Sequence, residues 1–183
     1  RKVGELMAEW IKTYGEFWNP DVIDWGSRGR GNKGSLCGII KRNGDPVEID
    51  FWNARGIYVL YDNFQATYVG KTKEQALGKR IRDHLTDRHA GRWDMFSWYS
   101  LSAPRFTRGD VTIPGTRFSS PDVVIDTMEA LAILIADPKL NRKRESLRGA
   151  HEATQVGSDH PHTIRHYLEQ ILLKLPAERE GSG

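Results

Sequence analysis

Residues Gly56–His84 read GIYVLYDNFQATYVGKTKEQALGKRIRDH. Two runs rich in Tyr, Val and Ile, Gly56–Tyr61 and Ala66–Gly70, stand either side of the polar stretch Asp62–Gln65, which is the pattern of two strands joined by a tight turn. From near Glu74 the spacing becomes that of a helix, so the stretch is expected to form a ββα unit. Alternate residues of a strand share a face, which pairs Tyr58 with Leu60 and Tyr68 with Gly70; closing the hairpin brings the two tyrosines together. Arg80 and His84, four residues apart, lie on one helix face. Two hydroxyls, a guanidinium and an imidazole should therefore converge at one end of a sheet, where Gly70 leaves room for a backbone to come close.

The flanking sequence predicts an α/β (α+β) protein with a core over 54–145, an N-terminal extension over 1–53 and a C-terminal piece over 146–183. Gly4–Trp18 carries Leu6, Met7, Trp10, Ile11, Tyr14 and Trp18 at helical spacing and is expected to form a helix ended by Asn19-Pro20. Gly26–Gly38 is glycine-rich and basic. It lacks the Lys that a phosphate-binding loop needs after its second Gly, since Ser35 follows Gly34, and it reads as a loop able to follow a polyanion backbone through Arg28, Arg30 and Lys33. Val47–Trp52 reads as a short strand, the aromatic run Arg92–Leu101 as the third strand of the central sheet, and Ser102–Ser119 as an insertion.

Ser120–Ala136 has a helix start at Ser120-Pro121 and apolar residues nearly all round, so a buried helix is expected with Glu129 at its middle. A buried carboxylate must be protonated, paired with a base such as Arg80, or bound to a metal. The basic run Lys139–Arg148 includes Arg142 and Lys143, a second candidate contact for nucleic acid. A polar linker, Ser146–Pro161, then leads to an amphipathic helix over Thr163–Leu175.

Composition narrows the class. The formal charge of +3 permits a polyanionic partner without requiring one, and the single cysteine, Cys37, excludes an intramolecular disulfide or a multi-cysteine zinc site. No apolar run is long enough for a membrane span and no secretory leader is visible, so the expected location is the cytoplasm. The missing initiator Met and the GSG ending fit a piece of a longer chain.

The GIY at Gly56–Tyr58, the YVG at Tyr68–Gly70, Arg80 one helix later, Glu129 in an apolar helix and Asn141 in DPKLN together resemble the signature of the GIY-YIG nuclease family. His84, one turn after the arginine, is most similar to the family's restriction-endonuclease branch. The resemblance covers roughly Ala54 to Asn141 and departs only in Val69, where the family has Ile. It implies a small three-stranded mixed sheet with flanking helices, here extended by helices at both ends. It also implies a metal-dependent endonuclease acting on DNA, with duplex favoured, in restriction or anti-phage defence. Glu129 would hold Mg²⁺ or Mn²⁺; Arg80 would bind the phosphate oxygens through its planar fork. Tyr58 would activate water with help from Lys71, His84 or the metal, or His84 would take the proton itself. Tyr68 would orient water or phosphate, and Asn141 would hold the site's geometry. Cutting both strands would call for two sites, hence a homodimer. The alternatives are a non-catalytic nucleic-acid-binding module, or a repair or homing-type nuclease domain from a larger protein.

Overall fold

A computed structural model describes residues 10–27, 33–72, 75–115, 121–136, 147 and 149–157; in the helix 121–136 the side chains described are those of 127, 128 and 130–136. Among these residues the chain is mixed α/β, mostly strands with two α-helices.

The hairpin forms where the sequence places it. Strands β4 (Gly56–Asp62) and β5 (Gln65–Lys71) pair antiparallel with Tyr58 opposite Gly70 and Leu60 opposite Tyr68. Its two-residue turn puts Asn63 (φ 48°) and Phe64 (φ 64°) both in the left-handed region, the backbone that matches the twist of paired strands. Helix α1 follows at Leu77–Asp83 and ends on His84. The aromatic run supplies β6 (Met95–Ser100), paired with β4 along its length.

The central sheet is larger than the three strands expected. Strand β1 (Thr13–Trp18) pairs antiparallel with β6 on one side and parallel with β9 (His151–Glu152) on the other, giving the five-stranded order β5-β4-β6-β1-β9. Thr13–Trp18 is therefore strand, not the end of a helix; residues 1–9 lie outside those described. The segment TYGEFW is β-branched and aromatic, and a register irregularity between Gly15 and Trp18 breaks its alternation, so that Gly15 and Trp18, three apart, are both buried. The spacing of Ile11, Tyr14 and Trp18 imitates a helix, yet Ile11 and Tyr14 pack on one face of the sheet and Trp18 on the other. The linker expected over Ser146–Pro161 is likewise partly strand: β9 and β10 (Thr154–Gln155) strap the sheet edges, with Ala153 and Gln155 buried.

A second sheet, β10-β2-β3, is built from β2 (Cys37–Arg42), β3 (Asp45–Asp50) and β10. Beside it β7 (Pro104–Arg105) and β8 (Asp110–Val111) form a small hairpin inside the expected insertion, and Val111 enters the core. The glycine-rich stretch runs into this core as well: Gly34, Leu36 and Gly38 are buried.

Two hydrophobic clusters lie on the two faces of the central sheet. Tyr58, Leu60, Phe96 and Trp98 face α1, through Leu77 and Ile81, and the second sheet, through Leu36, Ile40, Ile49 and Phe51. Trp18 stands edge-on to Trp98, ring centroids 5.5 Å apart, and donates its indole N–H to the Ala153 carbonyl at 3.3 Å. On the other face Val59, Tyr61 and Tyr99 pack against Leu131, Leu134 and Ile135 of α2 (Pro121–Ala136). That helix buries one stripe and not its whole surface, since Met128 is 65% exposed. Among the described residues no helix is long and apolar enough to cross a membrane.

Candidate active site

The site is built on the face of β4 and β5 that α1 covers. Tyr58 and Tyr68 are diagonal neighbours across the hairpin, with ring centroids 6.1 Å apart. Tyr58 is completely buried, whereas Tyr68 is partly exposed. The ring of Tyr58 fills the space over Gly70: a Cβ added there would come within 2.2 Å of its Cζ and of its Oη. Gly70 thus admits a tyrosine ring and not, as its position in the strand implied, another backbone.

The Tyr58 hydroxyl ends on His84, whose Nε2 is 2.7 Å away. The opposite nitrogen, Nδ1, is 2.7 Å from Oδ2 of Asp87. His84 is buried at the end of α1, boxed by the rings of Tyr58, Tyr68 and His89. Asp87 sits in the turn just beyond, where its other oxygen, Oδ1, accepts the His89 backbone N–H at 2.7 Å.

Electrostatics decide which way the protons point. Burial pushes the Asp87 carboxyl up, but the His89 backbone N–H, the His84 hydrogen bond and the charges of both histidines outweigh it, so Asp87 stays ionised below the usual aspartate range. Burial holds the His84 imidazole below its ordinary value against the opposing pull of Asp87, so the ring is neutral at neutral pH. A neutral ring beside a carboxylate must carry its proton on Nδ1 and donate it there, which leaves Nε2 as an acceptor. Tyr58 O–H therefore donates to His84, and the order of donation is Tyr58 to His84 to Asp87.

Arg80, one turn before His84 on α1, acts on both tyrosines. Burial raises the Tyr58 pKa above the ordinary phenol value, and the Arg80 charge and hydrogen bond oppose that rise. The Arg80 guanidinium is in turn raised, mainly by its attraction to Tyr58. Arg80, Tyr68, Gly70 and the exposed Lys71 line an open cleft of about 570 Å³ together with Ile57, Val69 and Gln75. Two cations and a phenol at one wall are suited to an oxyanion such as phosphate. Tyr58 does not line this cleft; its hydroxyl lies behind Gly70, against His84.

The structure thus brings Tyr58, Tyr68, Arg80 and His84 together, with Lys71 at the rim. Lys33 is exposed; Arg28, Arg30, Asn141, Arg142, Lys143 and the helix over Thr163–Leu175 lie outside the described residues. Glu129 belongs to α2, which packs on the opposite face of the sheet. Its turn Thr127–Leu131 borders a second, apolar cleft of about 340 Å³ whose other wall includes Ile57 and Lys71. Those two residues line both clefts, so α2 meets the tyrosine site at the shared strand ends.

Sequence reasoning missed Asp87 and His89. The signal was available: Asp87 is three residues past His84, and His89 two further on, but both fall in the turn after the helix, where the periodicity that led to His84 stops. Compared with known proteins, the chain matches no family model, no curated protein and no solved structure.

Proposed function

We propose that the protein is a metal-dependent endonuclease of the GIY-YIG type that hydrolyses DNA phosphodiester bonds. The observation that carries this reading is the Tyr58–His84–Asp87 chain of hydrogen bonds beneath Arg80, because it gives a buried phenol somewhere to send its proton. A phenol whose pKa is raised by burial is a poor base alone. Coupled to His84 it becomes a relay: Tyr58 accepts a proton from the attacking water as its own passes to Nε2, and Asp87 stabilises the imidazolium that forms. No free phenolate is required. The arrangement follows the logic of a nucleophile, a histidine and an orienting carboxylate.

Arg80 has two positions to serve. At rest it faces the tyrosine hydroxyls; with substrate its fork would bind non-bridging phosphate oxygens, which uncovers Tyr58 toward the cleft. Lys71 and Tyr68 would hold the phosphate from the rim. The described lining of the cleft is cationic and phenolic and contains no carboxylate, so its donor set fits the phosphate directly. It fits Mg²⁺ or Mn²⁺ only with an acid from outside that lining, which is the part assigned to Glu129. Bound there, the ion would supply charge stabilisation for the leaving oxygen. A role in restriction or anti-phage defence, with a homodimer cutting both strands, goes with this reading.

The full burial of Tyr58 favours a second reading, a module that binds nucleic acid without cutting it. Supercoiled plasmid incubated with and without Mg²⁺ separates the two. Metal-dependent nicking or linearisation that Tyr58→Phe and Glu129→Ala each abolish, with DNA binding retained, supports the nuclease. Binding without cleavage of duplex DNA, single strands or RNA moves the reading to the module.

A further inference from the structure

The turn that follows α1 carries more than a relay. His84, Asp87 and His89 each present a ligand atom within 4.8 Å of the others, from three residues of one six-residue span. We propose that this cluster binds a borderline divalent transition metal, Zn²⁺ in particular, and that the bound ion switches the relay off.

Two imidazoles and a carboxylate with a coordination position left open to water form a donor set that suits Zn²⁺, and Mg²⁺ poorly. The geometry is close to formed. His84 Nδ1 and Asp87 Oδ2 are 2.7 Å apart, and a tetrahedral ion with bonds of about 2.0–2.1 Å spaces neighbouring ligand atoms by about 3.3 Å, so the pair opens by about 0.6 Å. Asp87 is already oriented, because the His89 backbone N–H holds Oδ1 and turns Oδ2 toward His84. The side chain of Asp87 is 36% exposed, which gives the ion an entry path. Two arginines oppose the ion. Arg88 donates to His89 Nε2 at 3.2 Å and, being exposed, can turn away; Arg80 acts on His84 from the other side, offset by the Asp87 carboxylate.

The consequence for Tyr58 follows from proton counting and rests on the nuclease reading above. Metal at Nδ1 displaces the proton held there, which moves to Nε2; the ring stays neutral and no proton is released. Nε2 then donates to the Tyr58 oxygen where it previously accepted from it. His84 can no longer take the tyrosine proton, so Zn²⁺ inhibits even when Mg²⁺ is saturating. His89 packs against His84 but exchanges no proton in the relay, so the Zn²⁺ response of His89→Gln reports on metal binding.

The test uses Co²⁺ as a spectroscopic stand-in, titrated into the chelator-treated full chain. One equivalent is expected to give the visible absorption of a four- or five-coordinate ion, to be displaced by Zn²⁺, and to bind at least about ten-fold more weakly in His89→Gln. In Mg²⁺-supported cleavage, with each protein measured against its own rate without Zn²⁺, His89→Gln is expected to need at least about ten-fold more Zn²⁺ for inhibition. Circular dichroism confirms that the variant is folded. Absence of a one-equivalent Co²⁺ signal, or a signal unchanged in His89→Gln, overturns the site. A His89-dependent Co²⁺ signal in a protein that cleaves nothing upholds the site and removes the nuclease reading instead. Cleavage that Zn²⁺ leaves untouched while Co²⁺ binds as expected overturns the switch.

Discussion

Gly70→Ala tests the site without assuming what it does. The new Cβ would stand 2.2 Å from Cζ and Oη of Tyr58, against an ordinary contact of 3.4–4 Å. The ring must shift by at least about 1.2 Å, a displacement that the 2.7 Å hydrogen bond to His84 cannot absorb in place. Overpacking a filled site costs about 1–3 kcal/mol, and a buried hydroxyl left without a partner about 1–3 kcal/mol more. Alanine recovers about 0.5–1 kcal/mol through the strand's backbone entropy. The expected net loss is about 3 kcal/mol, a fall in Tm of about 6–12 °C for a chain of this size. Urea unfolding and a thermal scan measure it, with Val69→Ala, at a neighbouring position 53% exposed, as the control expected within about 0.5 kcal/mol of wild type. DNA cleavage should fall with the lost hydrogen bond. A Gly70→Ala protein as stable as the control, with unchanged cleavage, would refute the claim that the ring of Tyr58 needs that space.

Asp87→Asn keeps a hydrogen-bonding group beside His84 but removes the charge that holds the proton on Nδ1; cleavage is expected to drop about 10²–10⁴-fold, by analogy with the same change in a serine-protease triad, with DNA affinity retained in a filter-binding assay. Cleavage against pH should show an acid limb, because the relay needs Nε2 free: activity is present above the His84 pKa, which burial places below 6.5, and is lost as pH falls through it. Stability follows the same sign. The unfolded chain protonates His84 more readily than the folded one, so its burial costs stability as pH falls below 6.5, and the contribution of Asp87, present above 3.8, is lost as pH falls through its lowered value; pH-dependent denaturation should show this acid destabilisation and, as pH rises above 10, an alkaline one from Tyr58, whose buried phenol gives up its proton less readily than in the unfolded chain. Gln155→Ala removes two bonds to the Asn19 backbone, at 2.7 and 2.8 Å, and should cost about 2 kcal/mol in chemical denaturation.

The parts of the fold legible in the sequence are those held by local rules. The hairpin, the third strand and α2 each follow from alternation, a turn or a proline start, and Tyr58, Tyr68, Arg80 and His84 meet because strand and helix periods bring them together. Strand β1 was hidden because Ile11, Tyr14 and Trp18 stand at helical spacing in the sequence itself, and its partners, β6 and β9, are 78 or more residues away. Strand β2 could have been read: Asn43-Gly44, with φ of 53° and 96°, is the favoured pair for a two-residue hairpin turn. Asp87 was missed for a different reason. Its role depends on a tautomer, and a tautomer is set by which groups surround a ring in space.

The strap at His151–Gln155 gives the molecule an order of assembly. Tyr14 donates its hydroxyl to the Glu152 carboxylate across 138 residues, and Trp18 donates its indole N–H to the Ala153 carbonyl across 135. During synthesis β1 is made before the other strands of its sheet, yet its outer edge stays open until residue 152 has left the ribosome. Contacts this distant in sequence are formed late and slowly. The hairpin and α1, which hold the tyrosines, arginine and histidine, can pair as soon as they emerge, but the sheet that backs them closes only once β9 has been made. A chain released before that point would carry the residues of the relay on an unfinished sheet, and its site should gain its full rigidity only when the strap docks.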